Sequence, residues 1–246
     1  MKRVAVLLAV ALIGCGSDDG DPKPRLVVSA ASSLTEALDE CSPQFGGATV
    51  RLSFAGSDEL AAQIRQGVRP DVYAAANSTL PSQLAQEDLL ATPMEFATNE
   101  LVLAVPRDSR IGSVGDLAKT DTKIAMGSES VPIGSYTRAT LSKLPASQER
   151  RILANVRSEE PDVKGIVGKL TQGSVDAGFV YVTDVKAAGG ELKAIRLPPD
   201  IEPRVTYTAG VVNGADHPSL ARDYLDTFLD GACADALRAA GFGPAP

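Results

Sequence analysis

Residues 27–38 read V-V-S-A-A-S-S-L-T-E-A-L, and this stretch decides the fold because a short β-type run leads directly into a helix start. The apolar run at 26–28 ends in small residues, and Ser33 and Glu36 have the Ser-x-x-Glu spacing of a capping box. Apolar residues then recur with the i, i+3, i+4, i+7 spacing of one buried helical face. The stretch therefore predicts a strand followed at once by a helix whose N-cap is Ser33.

A junction of this kind suits an anion. The first N–H groups of a helix have no acceptors within the helix, and the helix dipole makes this end partly positive. A single serine pair at a helix start is more commonly a structural cap than part of a ligand site. The functional interpretation therefore depends on whether the arrangement recurs in the chain.

A second copy follows closely. A strand is predicted at 49–54, and the small residues Ala55 and Gly56 lead from it to Ser57. A helix is predicted at 58–66, and Gly67 is placed to end it. Ser57 thus lies at a strand-to-helix junction like that of Ser33.

Later junctions lack serine but offer other donors. Pro132 suits a first helical turn, so a helix start is predicted at Ile133, and another is predicted at Val163. Tyr181 lies at the end of an apolar strand predicted at 176–182. These positions add backbone N–H groups and a phenol but no cation, which is the donor set for a small, fully deprotonated oxyanion.

Strands and helices alternate along the rest of the chain, which predicts an α/β fold with largely parallel sheets. Further strands are predicted at 71–76, 100–105, 123–126, 152–156, 192–197 and 204–213. A helix opening is predicted over 158–163, and Gly165 and Gly168 within that helix suggest close packing. Hinge runs near 98–99 and 206–208 divide the chain into one lobe of 26–98 plus 208–246 and a second lobe of 99–207. Ligands of such sheets lie beyond the carboxyl ends of the strands.

Composition argues against several classes of function. The 246 residues carry a net charge of −7, and an acidic chain without basic runs is a poor partner for nucleic acid. The single histidine, His217, and the lack of a G-x-S-x-G motif argue against a serine hydrolase. The three cysteines form no Cys-x-x-Cys motif, which argues against a zinc site.

The N-terminus has the features of a secretion signal. Lys2 and Arg3 precede an apolar run at 4–13 that is too short to span a bilayer. The run ends in L-I-G-C at Cys15, which resembles the lipobox of bacterial lipoproteins. We expect a signal peptide at 1–14, lipid on Cys15 and a polar tether to residue 25, and hence a lipid-anchored protein of the cell envelope, outside the cytoplasmic membrane or in the periplasm. The alternative is an ordinary secretory signal with a coincidental cysteine.

The motifs of the mature chain, in order and spacing, resemble those of the molybdate-binding components of bacterial ABC transporters. They are A-A-S-S-L at 30–34, F-A-G-S at 54–57 with L-A-x-Q-I at 60–64, V-P-I-G-x-Y at 131–136, D-V-K at 162–164, A-G-F-V-Y-x-x-D at 177–184 and G-F at 241–242. Three departures from the family pattern are Ile133 for a usual Ala, Lys164 for a usual Arg, and Asp58-Glu59 after Ser57, where uncharged Ser or Thr is commoner.

The resemblance implies the two-lobed periplasmic-binding-protein fold of type II, with an oxyanion in the cleft between the lobes. It implies hydroxyl donors at Ser33, Ser57 and Tyr181 and backbone donors at Ile133 and Val163, with Ser32 as a further candidate. Molybdenum would enter only as molybdate, without a direct protein–metal bond or a cofactor. Because both chain ends belong to one lobe in this family, Cys41 and Cys233 could meet as a disulfide.

The function implied is that of a receptor and not an enzyme. It would be an anchored monomer that captures molybdate, and tungstate as well, and delivers the anion to an ABC permease in the membrane. Two alternatives stay open: a receptor for sulfate or another tetrahedral oxyanion, and a lipid-anchored hydrolase that uses Ser33 or Ser57. The donor-only set also predicts that Asp58 points away from the ligand.

Overall fold

The computed structural model describes residues 23–119 and 121–246. The predicted signal peptide, the lipidation of Cys15 and most of the predicted tether lie outside the described residues. None of the helices within these residues has the length and apolar character that crossing a membrane requires.

The described residues form ten strands: β1 Arg25–Ala31, β2 Thr49–Ala55, β3 Val72–Ala75, β4 Met94–Asn99, β5 Leu101–Pro106, β6 Ile124–Gly127, β7 Val156–Glu160, β8 Ala177–Tyr181, β9 Leu192–Arg196 and β10 Val205–Val211. Nine α-helices occur in the same residues: α1 Thr35–Cys41, α2 Ser57–Arg65, α3 Thr79–Gln86, α4 Pro132–Leu141, α5 Ala146–Ala154, α6 Val163–Thr171, α7 Val182–Ala187, α8 Pro218–Asp226 and α9 Ala232–Ala240. Short 3₁₀ turns occupy Ser32–Leu34, Ser42–Gln44 and Val114–Ala118.

The strands form two five-stranded sheets. The first has the order β2-β1-β3-β10-β4 and the second the order β7-β6-β8-β5-β9. In the first sheet β1 pairs in parallel with β2 and β3, and Val28 is level with both Leu52 and Val72. In the second sheet β6 pairs in parallel with β7 and β8. The carboxyl ends of these parallel strands carry the helix starts that matter for the site.

As predicted, the sheets are largely parallel, since four of the five strands in each run in one direction, but one strand in each runs against the others. In the first sheet β10 pairs antiparallel with β3 and β4, and in the second β5 pairs antiparallel with β8 and β9. The reason is the route of the chain between the sheets. β4 ends at Asn99 and β5 begins at Leu101, so the chain passes directly from one sheet into the other without a crossover helix.

One predicted strand and the opening of one predicted helix between residues 152 and 163 are wrong, although the helix itself is found from Val163. Residues 152–154, expected in a strand, belong to α5, in which Ile152 is the one buried residue. Residues 158–160, expected to open a helix, belong to β7 at the edge of the second sheet. Polar edge strands and polar surface helices have similar compositions, so the apolar pattern could not separate them.

The buried interior follows the sheets. The five residues at 101–105 are fully buried, as expected for the β5 run that is covered on both faces. Gly165 does pack closely, because a Cβ there would lie 2.7 Å from a Glu160 carboxylate oxygen. Close packing at Gly168 is not found, since the nearest atom to a Cβ there is a side-chain atom 3.9 Å away.

A disulfide ties the two ends of the chain together. Cys41 at the end of α1 is bonded to Cys233 in α9, with Cα atoms 4.9 Å apart and a sequence separation of 192. Both cysteines are buried. The bond therefore lies inside the core that α1 and α9 share on the first sheet.

Candidate functional site

A small cavity lies where the carboxyl ends of β1, β2 and β3 face the starts of α4 and α6. The cavity is tight: the volume open to the centre of a water-sized sphere is about 10 Å³, which leaves room only for a ligand of few atoms. The lining residues come from both sheets: Ala31, Ser32, Ser33, Ala55, Gly56, Ser57 and Ala76 from the first, and Val131, Pro132, Ile133, Asp162, Val163 and Tyr181 from the second. The structure thus brings together all six residues that the sequence proposes as donors.

The two halves approach closely at this cavity. A Cβ on Gly56 would lie 2.4 Å from the backbone carbonyl oxygen of Pro161, so a larger residue does not fit there without a shift. Gly56 precedes α2 on the first sheet, whereas Pro161 precedes α6 on the second. Glycine at this position allows the starts of two helices to face one cavity from opposite sides.

Ser33 is not the N-cap that the sequence predicts. The chain turns into its 3₁₀ segment already at Ser32, so Ala31 takes the cap position and no side chain caps the turn. The Ser33 hydroxyl instead lies 2.8 Å from the hydroxyl of Tyr207 on β10. The capping box fails because its second member, Glu36, contacts Lys164 and not the backbone of Ser33.

Ser57 is the first residue of α2 and is almost fully buried. Its Oγ accepts a hydrogen bond of 3.1 Å from the backbone N–H of Ala76, which follows β3. Tyr73 donates to the Ser57 backbone carbonyl at 2.7 Å. Because the Ser57 oxygen already accepts from the protein, its own hydrogen remains for a group in the cavity.

Tyr181 brings a buried phenol to the cavity. Its hydroxyl has no hydrogen-bond partner within residues 23–119 and 121–246, although the side chain is only 1% exposed. Burial raises the pKa of the Tyr181 phenol well above its usual value, so the group stays protonated and can donate. A buried donor without a partner is costly, and one that faces a cavity is the kind of group a ligand would satisfy.

Backbone donors come from two helix starts. Ile133 and Val163 lie in the first turns of α4 and α6, where N–H groups have no intrahelical acceptor. The Ile133 side chain packs on β6, and its Cγ2 lies 2.6 Å from where a Cβ of Gly127 would be. The bulk of Ile133 is thus accommodated by a glycine on the sheet.

The cavity contains one carboxylate and no basic side chain among its described lining residues. That carboxylate, Asp162, caps α6 by accepting from the backbone N–H of Gly165 at 3.0 Å. Asp58 does not line the cavity, although it follows Ser57 directly. In the part of the chain that the structure describes, no cluster of His, Cys, Asp or Glu is placed to hold a metal ion.

A buried carboxylate beside the site escaped the sequence analysis as a functional group. Asp184 accepts from the backbone N–H of Tyr181 at 3.1 Å and lies 3.6 Å from the Lys164 ammonium. Burial raises the pKa of Asp184 from 3.8 to about 7, against the opposing charge of Lys164. Lys164 also contacts Glu36 of α1 at 2.6 Å, so the ion-pair group joins the two halves.

Tyr207 and Asn99 were also missed. Tyr207 is fully buried, contacts Ser33 and packs edge-on against the Tyr181 ring at 5.9 Å. Asn99 contacts the same phenol. The predicted hinge runs contain both residues, but no local pattern indicates a contact across 174 residues such as that of Ser33 with Tyr207.

Comparisons with known proteins agree with this geometry. The family model described as bacterial extracellular solute-binding protein matches residues 26–243. The molybdate-binding protein ModA of Mycobacterium tuberculosis is 32% identical over 254 residues, which cover 97% of this chain and 95% of that protein. The protein of the same name from Escherichia coli K12 is 28% identical over 213 residues, with 81% and 82% covered.

Solved structures establish the fold. The periplasmic molybdate-binding protein of Azotobacter vinelandii superposes with a TM-score of 0.78 at 19% identity, over 88% of this chain and 98% of that one. The sulfate-binding protein SubI of Mycobacterium tuberculosis also gives a TM-score of 0.78, at 14% identity over 90% and 87%. The predicted two-lobed type II periplasmic-binding-protein fold is confirmed, and fold alone does not separate a molybdate binder from a sulfate binder.

Proposed function

Because the chain belongs to the bacterial extracellular solute-binding proteins, and within them to the ModA-like substrate-binding proteins, we propose that it captures molybdate in the cavity between its two sheets. We further propose that it delivers the anion to an ABC permease. Ser33, Ser57 and Tyr181 would donate through hydroxyls, Ile133 and Val163 through backbone N–H groups, and Ser32 is a further candidate.

The proposal rests on the polar groups of the cavity, most of which are hydrogen-bond donors. Its hydroxyls and N–H groups can donate, its described lining residues include no cation, and one oxygen of its single carboxylate is engaged as a helix cap. Molybdate carries no proton near neutral pH, so all its oxygens accept. Hydrogen phosphate carries one proton and would need an acceptor, and leaving a buried polar group unmatched costs about 1–3 kcal/mol.

Sulfate is the second candidate because it too is fully deprotonated, and the fold of the SubI protein is equally similar. Relatives with substantial sequence identity are named for molybdate, which favours molybdate for this chain. Tungstate has the same charge and shape as molybdate and is proposed as a second ligand. The hydrolase alternative has little support, because Ser33 contacts a tyrosine and Ser57 a backbone N–H, and neither contacts a base.

The remaining expectations about the whole protein stay proposals. The two sheets support a division into lobes of 26–98 plus 208–246 and 99–207. The L-I-G-C sequence supports cleavage before Cys15, lipid on that residue and a place on the outer side of the cytoplasmic membrane or in the periplasm. A monomer without a cofactor is expected to suffice for binding.

A panel of oxyanions in a thermal unfolding assay tests the proposal. A ligand at about a hundred times its Kd stabilises the folded protein by roughly 2.7 kcal/mol. We expect this for molybdate and tungstate and much smaller shifts for sulfate and phosphate at equal concentration. No shift with molybdate or tungstate at millimolar concentration would contradict the assignment, and a larger shift with sulfate would transfer it to the second candidate.

A further inference from the structure

Behind the cavity, Asn99, Tyr207 and Ser33 form a chain of hydrogen bonds. The donor of each bond can be assigned by starting from Asn99. The side-chain oxygen of Asn99 accepts from the backbone N–H of Glu100 at 2.9 Å, which fixes the orientation of the amide. The Asn99 amide nitrogen therefore faces the Tyr207 hydroxyl at 3.4 Å and the Thr183 hydroxyl at 3.0 Å. Since an amide NH₂ only donates, the Tyr207 oxygen is the acceptor in its contact with Asn99.

The next link follows from what the Tyr207 hydrogen can reach. The phenol is fully buried, and its two partners among the described residues are Asn99 and Ser33. Burial raises the pKa of Tyr207 well above its usual value, so the phenol keeps its hydrogen. Asn99 offers only donors there, so that hydrogen points to Ser33 Oγ, 2.8 Å away.

The Ser33 hydrogen is thereby directed away from Tyr207, toward another acceptor. The Ser33 oxygen accepts from Tyr207, and the residue lines the cavity. We propose that Asn99 and Tyr207 act as positioning residues that fix the Ser33 hydroxyl as a donor toward the cavity, and so make the site select against protonated oxyanions. This inference rests on the proposed function and adds residues that set its specificity.

Ser57 also accepts a hydrogen bond from the protein, but its donor is a backbone group. Ser57 Oγ accepts from the backbone N–H of Ala76, a donor that side-chain substitution does not remove. Both serines therefore accept from the protein and donate to the cavity. At Ser33 the donor is the side chain of Tyr207, so a substitution can remove it and its effect on binding can be measured.

The test is Tyr207→Phe, which removes the hydroxyl and keeps the ring that packs against Tyr181, Phe96 and Phe242. Tyr73→Phe is the matched control. Tyr73 is equally buried and its hydroxyl also contacts a site serine, but at the backbone carbonyl of Ser57 and not at the side chain. Both variants thus lose a buried tyrosine hydroxyl, and only one loses the donor to a cavity hydroxyl.

Calorimetric titration of each protein with molybdate and with inorganic phosphate at neutral pH gives the ratio of the two affinities. In Tyr207→Phe the Ser33 hydroxyl loses the donor that fixes its orientation, so its hydrogen can turn away and its oxygen can accept from hydrogen phosphate. We expect the preference for molybdate over phosphate to fall by about tenfold in Tyr207→Phe, the effect of about one hydrogen bond, and to stay unchanged in Tyr73→Phe. If Tyr207→Phe does not fold, Asn99→Leu, which removes the outer donor, replaces it and should lower the preference in the same direction.

An unchanged preference in Tyr207→Phe would overturn the inference, as would an equal fall in both variants. These results differ from a failure of the proposed function, which would appear as absence of molybdate binding by the wild-type protein. Weaker molybdate binding with an unchanged preference would also count against the inference, because it indicates only a general loss of site structure.

Discussion

The two sides of the cavity supply donors in different ways. On the side of the first sheet, Ser33 and Ser57 offer hydroxyls whose directions depend on hydrogen bonds from Tyr207 and Ala76. On the side of the second sheet, Ile133 and Val163 offer backbone N–H groups whose directions are set by the helices α4 and α6. Hydroxyl donors therefore need a supporting network, whereas helix-start donors need only a correctly placed helix.

The halves also differ in how the chain builds them. The first sheet combines strands from residues 25–99 with β10 near the end of the chain, whereas the second uses the continuous segment from β5 to β9. A disulfide joins the distant parts of the first half. The half with hydroxyl donors is therefore also the half whose parts are joined by contacts between residues far apart in sequence.

Removing the disulfide should have the largest effect. In the chain-entropy model, a bridge over 192 residues stabilises the fold by about 5 kcal/mol. The double variant Cys41→Ser with Cys233→Ser should lose most of this in urea unfolding, and reduction of the wild-type protein should lose a similar amount. A loss below about 1 kcal/mol would show that packing of α1 against α9 is sufficient by itself.

The second largest effect on the free energy of unfolding is expected at Asp184, the buried carboxylate at the boundary of the two halves. The folded-state pKa of Asp184 is raised from 3.8 to about 7, so its protonated form stabilises the fold at low pH and this contribution is lost as pH rises toward 7. Asp184→Asn removes the dependence. Its free energy of unfolding should rise relative to wild type between pH 4 and 7, by about 4 kcal/mol at most, and the difference should be constant above that.

Equilibrium unfolding of both proteins at several pH values measures this difference. A constant offset between Asp184→Asn and wild type from pH 4 to 8 would show that Asp184 titrates normally in the folded protein. Its contacts with Tyr181 and Lys164 would then stabilise the charged form as well as water does.

A backbone donor can be deleted with proline. Val163 is the first residue of α6, a position that tolerates proline, so Val163→Pro should keep the helix and lose one N–H in the cavity. Charge-assisted hydrogen bonds contribute about 1.5–3 kcal/mol, which corresponds to a tenfold to hundredfold loss of molybdate affinity. Val163→Ala retains the N–H and serves as the control, and equal losses in the two variants would remove Val163 from the donor set.

The side-chain donor Tyr181 can be removed with the smallest effect on the stability of the fold. Its hydroxyl has no partner in the described chain, so Tyr181→Phe should leave the stability of the ligand-free protein unchanged or slightly higher. Molybdate affinity should still fall about tenfold to a hundredfold. Wild-type affinity in this variant would show that the phenol does not face the ligand.

The sequence predicted the site better where a donor depends on local structure. Pro132 and Asp162 mark the starts of α4 and α6, and both starts are found as expected within a residue. Ser33 shows the limit of such reasoning. Its cap was predicted from neighbours in sequence, but Tyr207 determines the contacts of its side chain, and Lys164 draws Glu36 away.

The wrong predictions of secondary structure and the missed directions of two strands also have physical causes. α5 and β7 are polar surface elements with few buried residues, so hydrophobic periodicity gave little information about them. The antiparallel strands β5 and β10 depend on where the chain crosses between sheets, which is a property of the whole topology. Contacts between residues far apart in sequence, such as Asn99 with Tyr207, were the part that one sequence could not reveal.

A cavity of neutral donors is expected to bind a fully deprotonated oxyanion. The most direct test of this expectation is calorimetric titration of the wild-type protein at neutral pH with molybdate and then with phosphate. We expect one molybdate bound per protein and phosphate binding at least about tenfold weaker, because the hydroxyl and N–H donors match oxygens without a proton better than a protonated oxygen. Phosphate binding as tight as that of molybdate, or no binding of molybdate at all, would contradict it.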